Sequence, residues 1–341
     1  MEPKKDILDE PSGMRAGWRA GVMPLSIAPM MDRSDRHYRY MMRLITRSTL
    51  IYTEMITTSA IEYGDKDYLL GYSKEEHPVA LQLGGEDPAA LKRCARIAED
   101  YGYDEVNLNV GCPSDRVQNA RFGVCLMRDP QRVADAVTEM RNAVAIPVTV
   151  KHRIGVDELD SYEDMANFVS IVSQVGCDRF TVHARKAWLN GLNPKQNRTI
   201  PPLRYEDVYR LKRDFSDLFV EINGGVLSLD EVEAHLAHVD AVMIARAAYD
   251  EPFLFSEADR RFFSSASAPV TRQDVVEAMV PYVARHIESG GKLIQVVRHM
   301  LNLFNGQPGA RRWRRFLSQQ CARGAGGPNT LNEALKIVRA A

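Results

Sequence analysis

Short apolar runs recur along the chain, and eight of them have the length and residue types of β-strands. We predict strands at Leu25–Ala28, Leu50–Met55, Val79–Leu83, Glu105–Asn109, Pro147–Lys151, Arg179–His183, Leu218–Asn223 and Ala241–Ile244. Several of these runs are separated by segments with helical periodicity. Strands that alternate with helices in this way form a parallel sheet covered by helices. Eight repeats favour a closed (β/α)8 TIM barrel over an open doubly wound sheet.

Helix start signals between the strands support this interpretation. Asp87-Pro88 and Asp129-Pro130 each place a capping carboxylate before a proline at the first helical position. The pattern changes after residue 263, where a linker of small residues is followed by sequence without strand signals. Helices are predicted from Thr271, near Leu293–Phe304, over Ala310–Ala322 and from Thr330, where Glu333 completes a capping box.

These patterns divide the chain into three predicted segments. They are an N-terminal extension (1–22), the barrel (23–263) and a C-terminal all-α helical bundle (264–341). Charge separates the last segment from the rest: residues 271–341 hold 11 Lys and Arg against 4 Asp and Glu, although the net charge of the whole chain is −1. A basic module on an acidic body suggests a localised contact with a polyanion.

Composition excludes several other classes of protein. No apolar stretch approaches the roughly 18 residues of a membrane span, and the first twenty residues lack the apolar core of a secretory signal. Five cysteines without a C-x-x-C motif argue against a disulfide framework and a structural zinc site, and favour a reducing cytoplasm.

Polar residues at the ends of predicted strands are the first candidates for chemistry. Four such residues are Gln82, Lys151, His183 and Asn223. The carboxyl ends of barrel strands meet at one rim, where this fold builds its active sites. Cys112 follows the fourth strand and opens a long loop, which points to chemistry more than to packing. Its thiol fits a general acid, because it is mostly protonated at neutral pH; a nucleophilic thiolate and an inert buried cysteine stay open as alternatives.

A phosphate site is predicted after the last two strands. Asn223-Gly224-Gly225 and Ala245-Arg246 occupy the loops where this barrel usually binds phosphate. Lys151 suits a flavin, whose pyrimidine edge gains negative charge on reduction, and Gln82 and His183 are candidates to hydrogen-bond the same ring. The alternative for each position alone is a tight turn or a satisfied structural polar residue.

The basic module contains its own cluster, Arg311-Arg312-Trp313-Arg314-Arg315. Guanidinium groups around an indole suit phosphates and unstacked bases. The alternative is a solvated helix face with Trp313 in the core. Arg185 and Lys186, directly after His183, are candidates for a second basic contact at the barrel mouth.

With these motifs in place, the chain resembles the tRNA-dihydrouridine synthases, and within them the bacterial A-type subfamily. The resemblance spans most of the chain from Ser26 to about Leu317. The stretches that carry it are Ala28–Asp32, Asn107–Gln118, Val182–Leu189, Asn197–Arg198, Ile200–Leu203, Arg298–Met300 and Gly306–Arg311. The Gly-Cys-Pro-Ser loop and the His-Ala-Arg-Lys sequence are its most specific parts. Ala120 and Ala245 depart from the family pattern, which commonly has glycine at both positions.

The resemblance implies an FMN-binding barrel with a helical tRNA-binding domain and no membrane contact or obligate protein partner. NADPH would reduce FMN, which would pass a hydride to C6 of a D-loop uracil, at positions 20 and 20a, while Cys112 protonated C5. The implied FMN contacts are Pro29, Met30, Met31, Gln82, Lys151, His183, Asn223, Gly224, Gly225, Ala245 and Arg246. By the same resemblance Asn109, Arg185 and Lys186 match positions near the tRNA or its uracil. The charge pattern adds four predicted tRNA contacts: Arg311, Arg312, Arg314 and Arg315.

Two other functions remain as alternatives. A flavin barrel that acts on a small molecule would not explain the basic charge of the helical module. A non-catalytic RNA-binding protein would leave Cys112 and Lys151 unexplained.

Overall fold

Eight parallel strands form a closed barrel in chain order, as the sequence pattern predicts. The computed structural model describes residues 23–266, 268–322, 324 and 326–339, so the predicted N-terminal extension (1–22) lies outside the described residues. The strands are β1 (Leu25–Ile27), β2 (Leu50–Thr57), β3 (Val79–Gly84), β4 (Glu105–Val110), β5 (Val148–Arg153), β6 (Arg179–His183), β7 (Phe219–Asn223) and β8 (Ala241–Ile244). Every predicted strand is present, with its ends within two residues of the prediction.

The described α-helices lie around the barrel and after it. Those up to β8 are α1 (Arg36–Ile45), α2 (Thr58–Tyr63), α3 (Lys66–Leu70), α4 (Pro88–Asp100), α5 (Asp115–Asn119), α6 (Pro130–Arg141), α7 (Tyr162–Gln174), α8 (Tyr205–Asp214) and α9 (Leu229–Leu236). Those after β8 are α10 (Arg246–Asp250), α11 (Ala258–Phe262), α12 (Arg272–Glu288), α13 (Leu293–Met300), α14 (Ala310–Ala322) and α15 (Asn329–Arg339). The carboxylates of Asp87 and Asp129 cap α4 and α6, as predicted. Within the described residues, no helix is both long and apolar enough to cross a membrane.

The two faces of the barrel strands differ in polarity. In β4, Val106 and Leu108 are fully buried in the core that surrounds the barrel. Glu105 and Asn107 alternate with them, are equally buried, and form hydrogen bonds to side chains of other strands. Polar groups that are removed from water must pair with one another, so the interior of this barrel is a hydrogen-bonded network.

The segment after the barrel is helical, with two differences from the predicted boundaries. Helix α13 ends at Met300, short of the predicted Phe304. Helix α15 begins at Asn329, so Thr330 lies inside its first turn and the predicted capping box at Thr330 is wrong. The Thr330 hydroxyl instead accepts a hydrogen bond from the Gly327 N–H at 3.1 Å.

Trp313 belongs to the packing between the C-terminal helices. Its side chain is fully buried, and Nε1 donates a hydrogen bond to the Met300 carbonyl at 2.9 Å. The indole also contacts the ring of Phe304, with the ring centroids 4.8 Å apart. The core alternative for Trp313 is therefore correct, and its suggested contact with unstacked bases is wrong.

A carboxylate joins the helical segment to the barrel. Asp35 caps α1 by accepting from the backbone N–H groups of His37 and Tyr38, each at 3.0 Å. It also accepts from Arg298 Nη2 at 2.5 Å and from His299 Nε2 at 3.0 Å, both on α13. Burial raises the pKa of Asp35, but its hydrogen bonds and the charge of His299 outweigh burial and hold the pKa below its ordinary value.

We predict that Asp35→Asn lowers the free energy of unfolding by about 1–2 kcal/mol at pH 7, because the cap is retained but the charged bond to Arg298 is lost. A depressed carboxyl pKa stabilises the folded state above the unfolded value, near 3.9, and this contribution disappears as the pH falls toward the folded value. The difference in free energy of unfolding between wild type and Asp35→Asn should therefore become smaller below about pH 4. Urea unfolding measures the free energy of unfolding of both proteins. The control is Asp65→Asn, because Asp65 caps α3 and has no inter-helix partner among the described residues. Equal stability of the two variants would contradict the assigned role of Asp35.

Candidate active site

The carboxyl ends of the strands surround a cavity of about 380 Å³. All the residues predicted to contact a cofactor line it, and so do Asn109 and Cys112. These residues come from β3 to β7 and from the loops after β1, β4, β7 and β8. Barrel closure therefore gathers at one rim side chains that are far apart in the sequence.

Positive charge dominates the lining of this cavity. Its cationic side chains are Arg33, Lys151, Arg153, Arg198 and Arg246. Asp32 is the single carboxylate among the lining residues. Burial and repulsion from Arg246 and Arg33 lower the pKa of Arg198 below its ordinary value. Arg33 pairs with Asp250 at 3.6 Å, but the excess of positive charge along the lining as a whole suits an anionic ligand.

Lys151 has a polar neighbour but no carboxylate partner among the described residues. Its Nζ donates to Asn223 Oδ1 at 3.0 Å, and Asn223 Nδ2 donates to the Met243 carbonyl at 2.7 Å, so the amide oxygen faces the ammonium. Burial, reinforced by the charge of Arg153, lowers the pKa of Lys151 to about 8. A ligand with negative charge near this ammonium would compensate both effects.

His183 lies beside these cations as a neutral imidazole. Burial and the charges of Arg153 and Lys151 hold its pKa well below the ordinary value. A neutral imidazole keeps one ring nitrogen as an acceptor and the other as a donor. His183 can therefore hydrogen-bond a heterocycle without adding charge to it.

The turn after β7 has room for backbone alone. Gly224 has φ +117° and Gly225 has φ +80°. A Cβ at Gly224 would lie 2.6 Å from the His183 ring, and a Cβ at Gly225 would lie 2.6 Å from Leu203 and from the Tyr205 hydroxyl. Glycine is therefore required at both positions by the backbone and by the neighbouring side chains. The turn lines the cavity together with Arg246, where backbone N–H groups and a guanidinium suit a phosphate.

The two departures from the family pattern both have negative φ angles. Ala245 has φ −108° and Ala120 has φ −92°. Neither angle requires glycine.

The Cys112 loop is anchored on both sides. Asn109 Oδ1 accepts from the N–H groups of Gly111 at 3.1 Å and Cys112 at 2.9 Å, and the Cys112 carbonyl accepts from the Val124 N–H at 3.1 Å. The thiol is half-buried, and its Sγ lies 3.6 Å from the Ser114 hydroxyl. Among the described residues no histidine hydrogen-bonds to this sulfur, which favours an acid over an activated nucleophile.

Three arginines that line the cavity were not among the predicted site residues: Arg33, Arg153 and Arg198. Arg153 Nε donates to the Gly111 carbonyl at 2.9 Å and Nη1 to the Lys186 and Asn197 carbonyls at 3.1 and 3.2 Å. It therefore ties together the loops after β4 and β6. The available signal was its position two residues after Lys151 in the same strand, which places both side chains on one face. Arg198 lies in a long loop, and its signal was the Asn197–Arg198 stretch of the family resemblance.

Other predicted contacts lie outside the cavity lining. Lys186 Nζ pairs with Asp160 at 2.5 Å, and Arg185 donates to the carbonyls of Thr199 and Pro201. Their contact with tRNA stays a prediction. The four arginines of α14 are exposed or half-exposed and have no ion pair within the described part of the chain: Arg311, Arg312, Arg314 and Arg315.

Comparison with known proteins assigns a family. A sequence profile described as dihydrouridine synthase matches residues 26–339. A Synechocystis protein named tRNA-dihydrouridine(20/20a) synthase is 58% identical over 320 residues, which cover 94% of this chain and 96% of the relative. Proteins of the same name from Escherichia coli K12 and Vibrio vulnificus are 57% and 56% identical, cover 92% of this chain, and are themselves covered to 91% and 96%. The resemblance noted in the sequence is thereby confirmed.

We predict that Lys151→Met stabilises the ligand-free protein by about 1 kcal/mol at pH 7, because it removes a buried ammonium without a carboxylate partner. Since the folded pKa of about 8 lies below that of a free lysine, the penalty is full below pH 8. It should disappear as the pH rises toward about 10.4. The measurement is urea unfolding of ligand-free protein at pH 7 and at about pH 10.4. Lys186→Met, which breaks the pair with Asp160, is the control and should not stabilise. A loss of stability in Lys151→Met would contradict this account.

Proposed function

Since this chain belongs to the dihydrouridine synthase family, in its bacterial A-type subfamily, we propose that it reduces the C5=C6 bond of D-loop uridines in tRNA. We infer positions 20 and 20a from the names of its relatives. One observation carries the proposal: a single cationic cavity holds Cys112 together with every residue predicted to contact FMN. The five free cysteines are consistent with a cytoplasmic enzyme.

The residues around the cavity fit FMN. The Gly224-Gly225 turn and Arg246 provide a phosphate cradle, while Lys151, Gln82 and His183 provide polar contacts for a flavin ring. FMN, when bound and reduced by NADPH, supplies the hydride that C6 of uracil accepts. Lys151 is the cation that favours negative charge on a ligand at this position.

The protein itself contributes a proton and the orientation of the base. Cys112 would donate its thiol proton to C5 and recover a proton from solvent before the next turnover. Asn109 lines the cavity beside it and anchors its loop. A uridine in a non-helical loop can leave its stack at modest cost to reach such a cavity.

We propose that the helical segment, residues 264–341, contacts the tRNA backbone. Support comes from its excess of positive charge and from the four arginines on α14, whose guanidinium groups have no ion-pair partner among the described residues. Cationic side chains of this kind supply most of the affinity for nucleic acid without reading its sequence.

The proposed function is tested on purified protein. We expect a yellow protein with flavin absorbance that, with NADPH and unmodified tRNA, adds two hydrogens to a D-loop uridine, as located by mass mapping. Protein without flavin, or tRNA that remains unmodified, would overturn the proposal.

We predict that Cys112→Ala keeps bound flavin and tRNA affinity but lowers dihydrouridine formation by about 10²–10⁴-fold, the usual contribution of a general acid. Cys125→Ala is the matched control, since Cys125 lies in the neighbouring 3-10 helix Gly123–Arg128 and outside the cavity lining. Single-turnover oxidation of the reduced flavin by tRNA measures the effect. Unchanged turnover in Cys112→Ala would assign the acid to another group.

We predict that replacing the four α14 arginines with alanine weakens tRNA binding by about 10- to 100-fold and flattens its salt dependence, because fewer counterions are released. Oxidation of NADPH by the flavin should be unchanged. The control removes four exposed arginines from helices α4, α6 and α8: Arg96, Arg141, Arg210 and Arg213. Gel shifts at several salt concentrations compare the two. Equal affinities would reject α14 as part of the tRNA surface.

A further inference from the structure

A continuous chain of hydrogen bonds runs through the barrel interior to the Cys112 loop. It consists of five side chains, which we call the relay: Glu105, Thr149, Asn107, Gln82 and Asn109. Each later member donates to the one before it, at 2.6, 2.8, 2.8 and 2.8 Å in that order. All five are nearly or fully buried. Only the last two line the cavity.

Each end of the relay meets groups that can only accept or only donate hydrogen bonds, and these groups set its direction. At the inner end, the Glu105 carboxylate pairs with Arg179 at 2.9 Å and can only accept. At the cavity end, the backbone N–H groups of Gly111 and Cys112 can only donate, so the Asn109 atom that faces them is oxygen. The intermediate hydroxyl and amides satisfy both ends in one orientation.

This orientation has a consequence for the cavity. Asn109 and Gln82 each use one N–H in the relay. Each NH₂ group keeps a second N–H that has no protein acceptor among the described residues. A flipped amide at either position would present its oxygen instead and would lose bonds on both sides. The relay therefore fixes donors, rather than acceptors, at the cavity.

We propose that Glu105, acting through Thr149 and Asn107, is a positioning residue that fixes the amide orientation of Gln82 and Asn109 and thereby holds the Cys112 loop. The catalytic significance of this relay rests on the proposed function, because it concerns the same cavity. The coupling of the Glu105 carboxylate to the backbone amides of Gly111 and Cys112 is a structural claim and does not depend on activity.

Thr149→Val and Thr149→Ser form the matched pair that tests the relay. Valine has nearly the shape of threonine but no hydroxyl, whereas serine keeps the hydroxyl and loses a methyl group. Amide hydrogen exchange in the full-length protein as purified is measured at Gly111 and Cys112, with the amides of β7 as an internal reference.

We expect exchange at Gly111 and Cys112 to accelerate about tenfold in Thr149→Val, the equivalent of one buried hydrogen bond, and to stay at the wild-type rate in Thr149→Ser. The β7 amides should not change. In the active enzyme, kcat for tRNA should fall in Thr149→Val with KM unchanged, and Thr149→Ser should restore it. If the valine variant does not fold, Asn107→Leu, which removes both relay bonds of Asn107 at similar size, is expected to give the same local acceleration.

Equal exchange at Gly111 and Cys112 in the valine and serine variants would overturn the relay. So would an equal acceleration in β7, because that would indicate general loosening of the barrel. Wild-type protein that makes no dihydrouridine would overturn the proposed function alone, since the exchange result is independent of it.

Discussion

The polar interior of the barrel is the constraint on which the rest of this structure depends. Barrels of this fold are usually filled with bulky aliphatic layers, whereas here Glu105, Arg179 and Glu221 are buried inside. Each needs partners there, because a buried polar group without one costs more than any single packing contact returns. Glu221 accepts from Ser26 at 2.6 Å and from Thr181 at 2.5 Å. The hydrogen bonds that these buried groups form inside the barrel thus determine the orientation of side chains at its mouth.

The cavity above this network has the opposite character, because five cationic side chains line it and only one carboxylate does. The pKa of Lys151 is lowered to about 8 and those of Arg198 and His183 are also depressed, in each case by burial first. The protein tolerates this cost because a large surrounding core stabilises the fold. An anionic ligand bound in the cavity would relieve this electrostatic cost.

Much of the fold and of the cavity could be predicted from the sequence, and the gaps have identifiable reasons. Strand positions and the caps at Asp87 and Asp129 are local properties, so they were predictable. Thr330 failed as a cap because α15 begins one residue earlier, at Asn329. Trp313 was ambiguous, since helix periodicity alone does not say which face meets a neighbouring helix.

The sequence by itself determined the barrel, the helical segment after it, the family and most of the residues that line the cavity, because strand-end positions and motifs are encoded locally. Tertiary structure alone decided which polar residues satisfy one another. Glu105 and Arg153 carried no motif that we recognised, and Asn107 and Arg198 belonged to stretches of the family resemblance without a predicted role of their own. Their roles depend on which strands and loops become neighbours when the barrel closes, and that geometry joins residues far apart in the chain.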